Sequence, residues 1–262
     1  MKIIIPIKQV PNTTEIKIDP VTNRIIREGV ESIINPFDTY AIEEGIRMKE
    51  RFGGETIVIS MGPPQAESAL REALSLGIDK AILLSDEKFA GSDTLATAYT
   101  LATAIKEKLG DFDLIICGKE AMDGSTGQVG PELAENLGLP QISYVSKIKD
   151  IKDKKIVAER MMEDHYEVIE SPLPLLITVV KEINEPRLPS LKGMLRAKRE
   201  EIIIYKASDL EENGCSFGID ASPTRVIKIW RPERAKEGVM LDGEPNEVAE
   251  KLYAVFKEKN LI

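Results

Sequence analysis

The 262-residue sequence predicts a doubly wound α/β protein with a mostly parallel sheet, an added hairpin and an extended C-terminal arm. Short apolar runs alternate with segments of helical periodicity over residues 1–140, a pattern typical of repeated strand–helix–strand units. The runs are nearly continuous, as expected for strands whose two faces are both covered by helices. We therefore expect the helices to lie on both faces of one sheet.

Composition narrows the class of protein. Apolar residues make up 42% and charged residues 30% of the chain, which is ordinary for a globular protein. The net charge of −9 argues against nucleic acid as a partner, because phosphate binding needs a basic face. Only Cys117 and Cys215 are present, so no disulfide framework is expected. The N-terminal apolar run is too short for a signal peptide or a membrane span, and we expect a cytoplasmic protein without membrane insertion.

The first half of the chain supplies the alternating elements. Four strands are predicted at Lys2–Ile7, Thr56–Ser60, Ala81–Ser85 and Asp113–Cys117. Three helices are predicted at Asp38–Phe52, Pro64–Leu76 and Ser92–Leu109. Ser92 is the expected N-cap of the third helix, and Gly77 and Gly110 are expected to end the second and third helices.

The second half begins with the stretch KKIVAERMMEDHYEVIESPLPLLITVV, residues 154–180. Its first two runs flank Glu163–Asp164 and predict a hairpin, and a third run after Pro172 and Pro174 predicts a further strand. After about Pro186 the sequence turns to prolines and clustered cations, which predicts an arm outside the core. A last helix is predicted at Pro245–Lys259. These patterns divide the chain into an α/β domain, residues 1–185, and a C-terminal arm, residues 186–262.

Ligands of doubly wound sheets bind beyond the carboxyl ends of the strands. That rule selects the loops Pro6–Pro11, Ser60–Pro63, Ser85–Gly91 and Cys117–Gly130. The last loop carries glycines at three-residue intervals and matches neither the G-x-G-x-x-G pattern nor the P-loop. It leads into a helix, so backbone N–H groups and the helix dipole would face an anion placed there. A surface loop without a ligand explains the spacing equally well.

Side chains suited to catalysis are scarce. The single histidine, His165, lies beside the hairpin turn, and the two cysteines are too far apart for a zinc-binding pattern. No G-x-S-x-G nucleophile elbow is predicted, because the match to that pattern at Gly214–Gly218 does not lie between a predicted strand and a predicted helix. We predict no catalytic residue and no metal site, and any chemistry would belong to a bound cofactor.

Several stretches, in the same order along the chain, resemble the β subunit of electron transfer flavoprotein. They are IKQVPNT, NPFDTYAIEEGIRMKE, SMGPPQAESALREAL, FAGSDTLATAY and CGKEAMDGSTGQVGPELAE. The hairpin carries a long, gapped signature of this family in Arg160, Glu163-Asp164-His165, Glu167, Ile169, Pro174 and Leu176-Ile177-Thr178. His165 departs from the family pattern, in which glycine or an acidic residue is usual at that position.

The resemblance implies a Rossmann-like nucleotide-binding sheet that holds an adenine nucleotide at its carboxyl edge. In many relatives the nucleotide is AMP, a structural ligand. In a second, bifurcating group it is FAD, which accepts a hydride from NADH and splits the electron pair. One electron then goes to ferredoxin or flavodoxin, and the other passes through the FAD of the α subunit to a partner dehydrogenase.

Two stretches resemble the bifurcating group: the small residues Asp123–Gly130, and GSDTLATAY, whose Asp93, Thr94 and Thr97 would reach the flavin. In the alternative interpretation, Asp93 and Thr94 only form the first turn of a helix, and the subunit is a scaffold that holds AMP. The residues expected to bind the cofactor are Pro6, Asn35, Pro36, Phe37, Asp38, Met61, Asp93, Thr94, Thr97, Gly118, Lys119, Asp123, Gly124, Ser125, Thr126, Gly127, Gln128 and Val129.

The resemblance also implies partners. A β subunit forms a heterodimer with an α subunit, and the residues after about Pro186 would embrace that chain. Leu191 occupies the protruding position of the family's recognition loop. The cations expected to steer an acidic dehydrogenase or electron carrier to it are Arg187, Lys192, Arg196, Lys198 and Arg199. By composition alone, the same basic segment also fits a solvated strand at a sheet edge.

Overall fold

The computed structural model describes residues 1–12, 32–210, 216–227 and 238–262. The chain divides into two compact units, residues 1–227 and residues 228–262. Cys215 lies outside the described residues. No helix within the described ranges combines the length and the apolar character that crossing a membrane requires.

The first unit is built on a nine-stranded sheet with the order β11-β5-β4-β1-β6-β10-β7-β8-β9. Its strands are β1 (Lys2–Pro6), β4 (Glu55–Met61), β5 (Lys80–Leu84), β6 (Leu114–Gly118), β7 (Gln141–Lys152), β8 (Lys155–Met161), β9 (Tyr166–Pro172), β10 (Leu175–Val179) and β11 (Ile202–Tyr205). Pairing is parallel from β11 to β7 and antiparallel from β7 to β9. Strands β2 (Gln9–Pro11) and β3 (Ser32–Ile34) form a separate antiparallel pair. The predicted sheet and hairpin are confirmed.

Helices cover both faces of the sheet. They are α1 (Pro36–Phe52), α2 (Glu67–Leu76), α3 (Thr94–Ala104), α4 (Val129–Leu137) and α5 (Leu191–Ala197). Ile3 and Ile5 of β1 pack with α1, α2 and α5, whereas Ile4 packs with α3 and α4 on the other face. This alternation gives the sheet two cores and confirms the doubly wound class.

The predicted stops of the second and third helices are confirmed, but the predicted helix starts need correction. Gly77 follows α2, and Gly110 follows a π-helical turn, Ile105–Leu109, that continues α3; both have a positive φ that glycine adopts readily. α1 begins at Pro36 instead of Asp38, and a 3₁₀ turn at Pro64–Ala66 precedes α2.

The predicted N-cap of α3, Ser92, is wrong. Asp93 is the cap, since its carboxylate accepts a hydrogen bond from the Ala96 N–H at 3.0 Å, while the Ser92 hydroxyl donates to the carbonyl of Phe89.

Two strands of the sheet are not predicted from the sequence. β7 alternates apolar residues with solvent-facing lysines and aspartate, and its 12 residues read as polar. β11 lies inside the segment expected to be an arm, and its four residues join the sheet edge beside β5. The cations of the basic segment lie in α5 and beside it, and none of them is part of β11.

The second unit contains the predicted last helix, α6 (Pro245–Glu258). Leu252, Tyr253 and Phe256 of α6 are exposed in the structure of this chain by itself.

Candidate functional site

Three loops converge where the strand order reverses. β1 lies between β4 and β6, so Pro6, Met61 and Gly118 end adjacent parallel strands at the same edge of the sheet. An edge of this kind is where doubly wound sheets bind ligands. The fourth predicted loop, Ser85–Gly91, is covered, because Gly218 packs against the backbone of Lys88 and Ala90.

Asn35 joins the start of α1 to the loop that follows β6. Its side chain is buried, donates to the Glu120 carbonyl at 2.8 Å, and accepts from the Met122 N–H at 3.0 Å. The same amide donates to the Asp38 carboxylate at 3.0 Å. Asn35 therefore holds the Asn35–Asp38 turn against residues Gly118–Val129, which we call the glycine loop. The place of this turn at the site is implied by the family resemblance and not by the strand pattern.

Asp38 is buried at the centre of this contact. Burial raises the pKa of its carboxyl to about 7, although hydrogen bonds from Asn35 and from the Lys8 N–H, at 2.7 Å, oppose that rise. Gly118 fits only because it has no side chain, since a Cβ there would overlap the Asp38 carboxylate and the Phe37 backbone. The local packing thus depends on a glycine and a carboxyl that titrates near neutral pH.

The glycine loop is shaped by one ion pair and two left-handed residues. Lys8 Nζ lies 2.6 Å from Asp123 Oδ1, and the Asp123 side chain is only 5% exposed. Ser125 and Gly127 have φ values of 50° and 63°. Gly124, between Asp123 and Ser125, has open space beside it, because an added Cβ would meet nothing within 4 Å. The aspartate is thus folded inwards and the small residues face outwards.

The end of the glycine loop presents backbone donors. Within the described part of the chain, no acceptor is found for the N–H groups of Thr126, Gly127, Val129 and Gly130. Val129 and Gly130 form the first turn of α4, and Gln128, its N-cap, makes no side-chain capping bond. Unbonded N–H groups and the positive end of a helix dipole are what a phosphate group requires. The residues present therefore fit the phosphates of an adenine nucleotide.

The start of α3 meets the end of the glycine loop. The Thr94 hydroxyl lies 3.4 Å from Gln128 Oε1 and 3.2 Å from Glu132 Oε1. Asp93 points elsewhere: its carboxylate accepts from Ala96 and from the N–H and hydroxyl of Thr224, at 2.9 and 2.8 Å. Burial acts to raise the pKa of Asp93, but these hydrogen bonds outweigh it and hold the pKa below its usual range. Thr97 is half-buried, and its N–H donates to the Asp93 carbonyl.

The residues expected to dock a partner lie apart from the glycine loop, on and before α5, which packs against α2. Arg187 is paired within the chain, with Glu43 at 2.8 Å and Glu50 at 2.6 Å. The Arg196 guanidinium donates to the carbonyls of Leu74 and Ile78. Leu191 is 71% exposed, and Lys192 lines a cavity of about 400 Å³ with Leu195, Arg196, Arg199 and Glu200.

Two chemically reactive residue types take structural positions. Cys117 is buried in β6, and burial raises the pKa of its thiol. His165 is exposed at the hairpin turn, and its Nδ1 lies 2.6 Å from Asp164. In residues 1–12, 32–210, 216–227 and 238–262, no three side chains of the His, Cys, Asp or Glu type are grouped to hold a metal ion.

Two residues at the site are missed by reasoning from sequence. Lys8 lies in a predicted ligand loop, but its pairing with Asp123, 115 positions away, has no local signal. Tyr144 lies beside Lys119 and Gly127 because of a strand irregularity in β7 that the residue pattern does not reveal.

The fold and this edge define a doubly wound α/β protein with a topological switch point, the place at which sheets of this class bind ligands. The family model of the electron transfer flavoprotein domain matches residues 22–210. Electron transfer flavoprotein subunit beta of Thermoanaerobacterium thermosaccharolyticum is 48% identical over the whole of both chains. Caffeyl-CoA reductase-Etf complex subunit CarD of Acetobacterium woodii is 47% identical, again over the whole of both chains. Protein FixA of Azorhizobium caulinodans is 43% identical over 99% of this chain and 95% of its own length.

This chain belongs to the electron transfer flavoprotein family, as a relative of its β subunits. The resemblance drawn from the sequence is confirmed. Membership implies an α-subunit partner, complexes with dehydrogenases, and association with a flavin or AMP.

Proposed function

We propose that this chain is the β subunit of a cytoplasmic, heterodimeric electron transfer flavoprotein that binds FAD at the carboxyl edge of its sheet. When bound, FAD would accept a hydride from NADH and deliver the two electrons separately, to ferredoxin or flavodoxin and, through the α-subunit FAD, to a dehydrogenase. The observation that carries the proposal is a set of backbone N–H groups at the switch point of the sheet, those of residues 126, 127, 129 and 130, for which the described residues supply no acceptor.

The protein's own residues supply binding and orientation in this proposal. The N–H groups of the glycine loop and α4 would bind phosphate oxygens. Lys8 and Lys119 lie nearby, but each is paired with a carboxylate, Asp123 at 2.6 Å and Glu120 at 3.7 Å, so the backbone donors carry the binding. Asn35 fixes the loop against α1, so the donors are held in place before a ligand arrives. Asp38 lies beneath this contact, where its buried carboxyl accepts two hydrogen bonds from the chain.

Two observations favour a dinucleotide over a mononucleotide. Asp123 is turned inwards to Lys8 and Gly124 is open, so no acidic or bulky side chain fills the middle of the loop. The polar surface also continues past the loop to Thr94 at the start of α3. FAD would use this longer surface, whereas AMP would use only part of it.

One observation favours the alternative, a redox-inactive subunit that holds AMP as a structural ligand and serves as a scaffold for docking. Asp93, expected to reach the flavin, is already engaged by Ala96 and Thr224. The first turn of α3 therefore has a structural explanation that needs no flavin.

The test is to purify the chain with its α subunit and to count FAD and AMP per heterodimer after acid release. Two FAD and no AMP are expected; one FAD and one AMP would establish the scaffold role instead. Gly124→Glu is expected to lower nucleotide content roughly tenfold by placing a negative charge in the loop. Gly124→Gln is the matched control, because it adds a side chain of the same size in the same open space without the negative charge. Equal nucleotide content in the two variants would refute the assignment of the loop.

A further inference from the structure

Tyr144 has an unusual backbone conformation. Its φ is 60°, in the left-handed region that aromatic residues rarely adopt. The pairing of β7 with β10 shifts register here, since Ile177 pairs with Ile142 but Val179 pairs with Val145. An extra residue of β7 is thus accommodated as a β-bulge, an irregularity that redirects a side chain.

Thr178 of β10 holds this bulge. Its hydroxyl accepts the Tyr144 N–H at 3.0 Å, and its methyl group lies 2.7 Å from the position that a Cβ on Gly130 would occupy. One buried threonine therefore contacts both the bulge and the first turn of α4. The bulge is built into the same part of the sheet that supports the end of the glycine loop.

The redirected ring reaches both ends of the glycine loop. Lys119 Nζ lies 5.7 Å from the centre of the Tyr144 ring and 5.8 Å from the centre of the Phe37 ring, within reach of cation–π attraction. The Tyr144 hydroxyl lies 3.8 Å from the position of a Cβ on Gly127. That same position is 3.6 Å from the Lys119 carbonyl, so residues 119 and 127 adjoin and form a neck that closes the loop.

We propose that Tyr144 is a positioning residue that holds the neck of the glycine loop and so slows the release of a nucleotide bound there. The nucleotide part rests on the proposed function, but the contact between the ring and the neck does not. A strained tyrosine at this place is explained by what its ring does, because an asparagine or glycine would meet the backbone requirement at lower cost.

The experiment compares heterodimers that carry Tyr144→Asn, Tyr144→Phe or Tyr166→Asn with the unaltered protein. Asparagine removes the ring but tolerates the left-handed backbone. Phenylalanine keeps the ring. Tyr166 is an exposed tyrosine on β9 with an ordinary backbone, and it controls for the loss of a surface aromatic ring. Hydrogen exchange of the amides of residues 119–128 and the release rate of FAD or AMP are measured.

With Tyr144→Asn we expect roughly fivefold faster loop exchange and nucleotide release, and with Tyr144→Phe values within about twofold of the unaltered protein. The thermal midpoint of Tyr144→Asn should not fall, because asparagine adopts the left-handed backbone at lower cost than tyrosine. Unchanged loop exchange in Tyr144→Asn, equal acceleration in Tyr166→Asn, or a phenylalanine variant as fast as the asparagine variant would overturn the proposal. A heterodimer without any nucleotide would instead refute the proposed function, and loop exchange would still decide the role of Tyr144.

Discussion

The glycine-loop edge and the segment around α5 are both functional candidates, but they are built in opposite ways. At the edge, side chains such as Asn35 and Asp38 bond inwards to one another, and several backbone N–H groups have no acceptor among residues 1–12, 32–210, 216–227 and 238–262. Around α5, Arg187 and Arg196 bond inwards, and the apolar side chain of Leu191 is left exposed. In both regions, therefore, charged and polar side chains stabilise the local structure by bonding within the chain.

The largest expected effect concerns the packing of the glycine-loop edge. Gly118→Ala should destabilise the protein by about 3 kcal/mol, because the new methyl group overlaps Asp38 and the Phe37 backbone. Gly124→Ala in the same loop meets open space and should change stability by less than about 0.5 kcal/mol. Thermal unfolding of both heterodimers measures the difference. Equal midpoints would show that the loop is not held against α1.

The next effect concerns Asp38 and pH. Burial raises the pKa of the Asp38 carboxyl to about 7 in the folded state, whereas its ordinary pKa, expected in the unfolded chain, is 3.8. Between these two pH values the folded protein therefore holds a proton that the unfolded chain has lost. The stability that the bound proton contributes is fully present below pH 3.8 and is lost as the pH rises through about 7. Between pH 5 and 7, the unaltered protein should lose about 2 kcal/mol relative to Asp38→Asn, which does not titrate. Denaturant unfolding of both proteins across this range provides the measurement, and parallel pH profiles would contradict the buried, protonated carboxyl.

The smallest expected effect concerns the exposed side chain of Leu191 on α5. Leu191→Ala should slow electron delivery to the dehydrogenase roughly fivefold, corresponding to about 1 kcal/mol of docking energy. Flavin content should stay unchanged, because the side chain is 71% exposed and belongs to α5, which packs against α2. Val168→Ala, an exposed apolar residue on β9, is the control. Normal turnover of Leu191→Ala with the physiological dehydrogenase would rule out docking at this residue.

Much of the fold could be predicted because its central strands are strongly patterned. β1, β4, β5 and β6 are nearly continuous runs of isoleucine, leucine and valine, buried on both faces. β7 escaped prediction because half of its residues face solvent, and β11 because its pairing with β5 links positions more than 100 residues apart. Short edge strands depend on partners that no local pattern identifies.

The sequence by itself determined the alternation of strands and helices, the loops at the carboxyl edge and the family. These properties depend on periodicity and on motifs that are local in the chain. Only the tertiary structure decided that Lys8 forms an ion pair with Asp123 and that Arg187 forms ion pairs with Glu43 and Glu50. It also decided that Asp93 caps α3 and accepts a hydrogen bond from Thr224. It alone placed Tyr144 on the neck of the glycine loop. Apart from the local cap of α3, these contacts join residues from 17 to 144 positions apart, and their geometry is set by how the sheet and its helices pack.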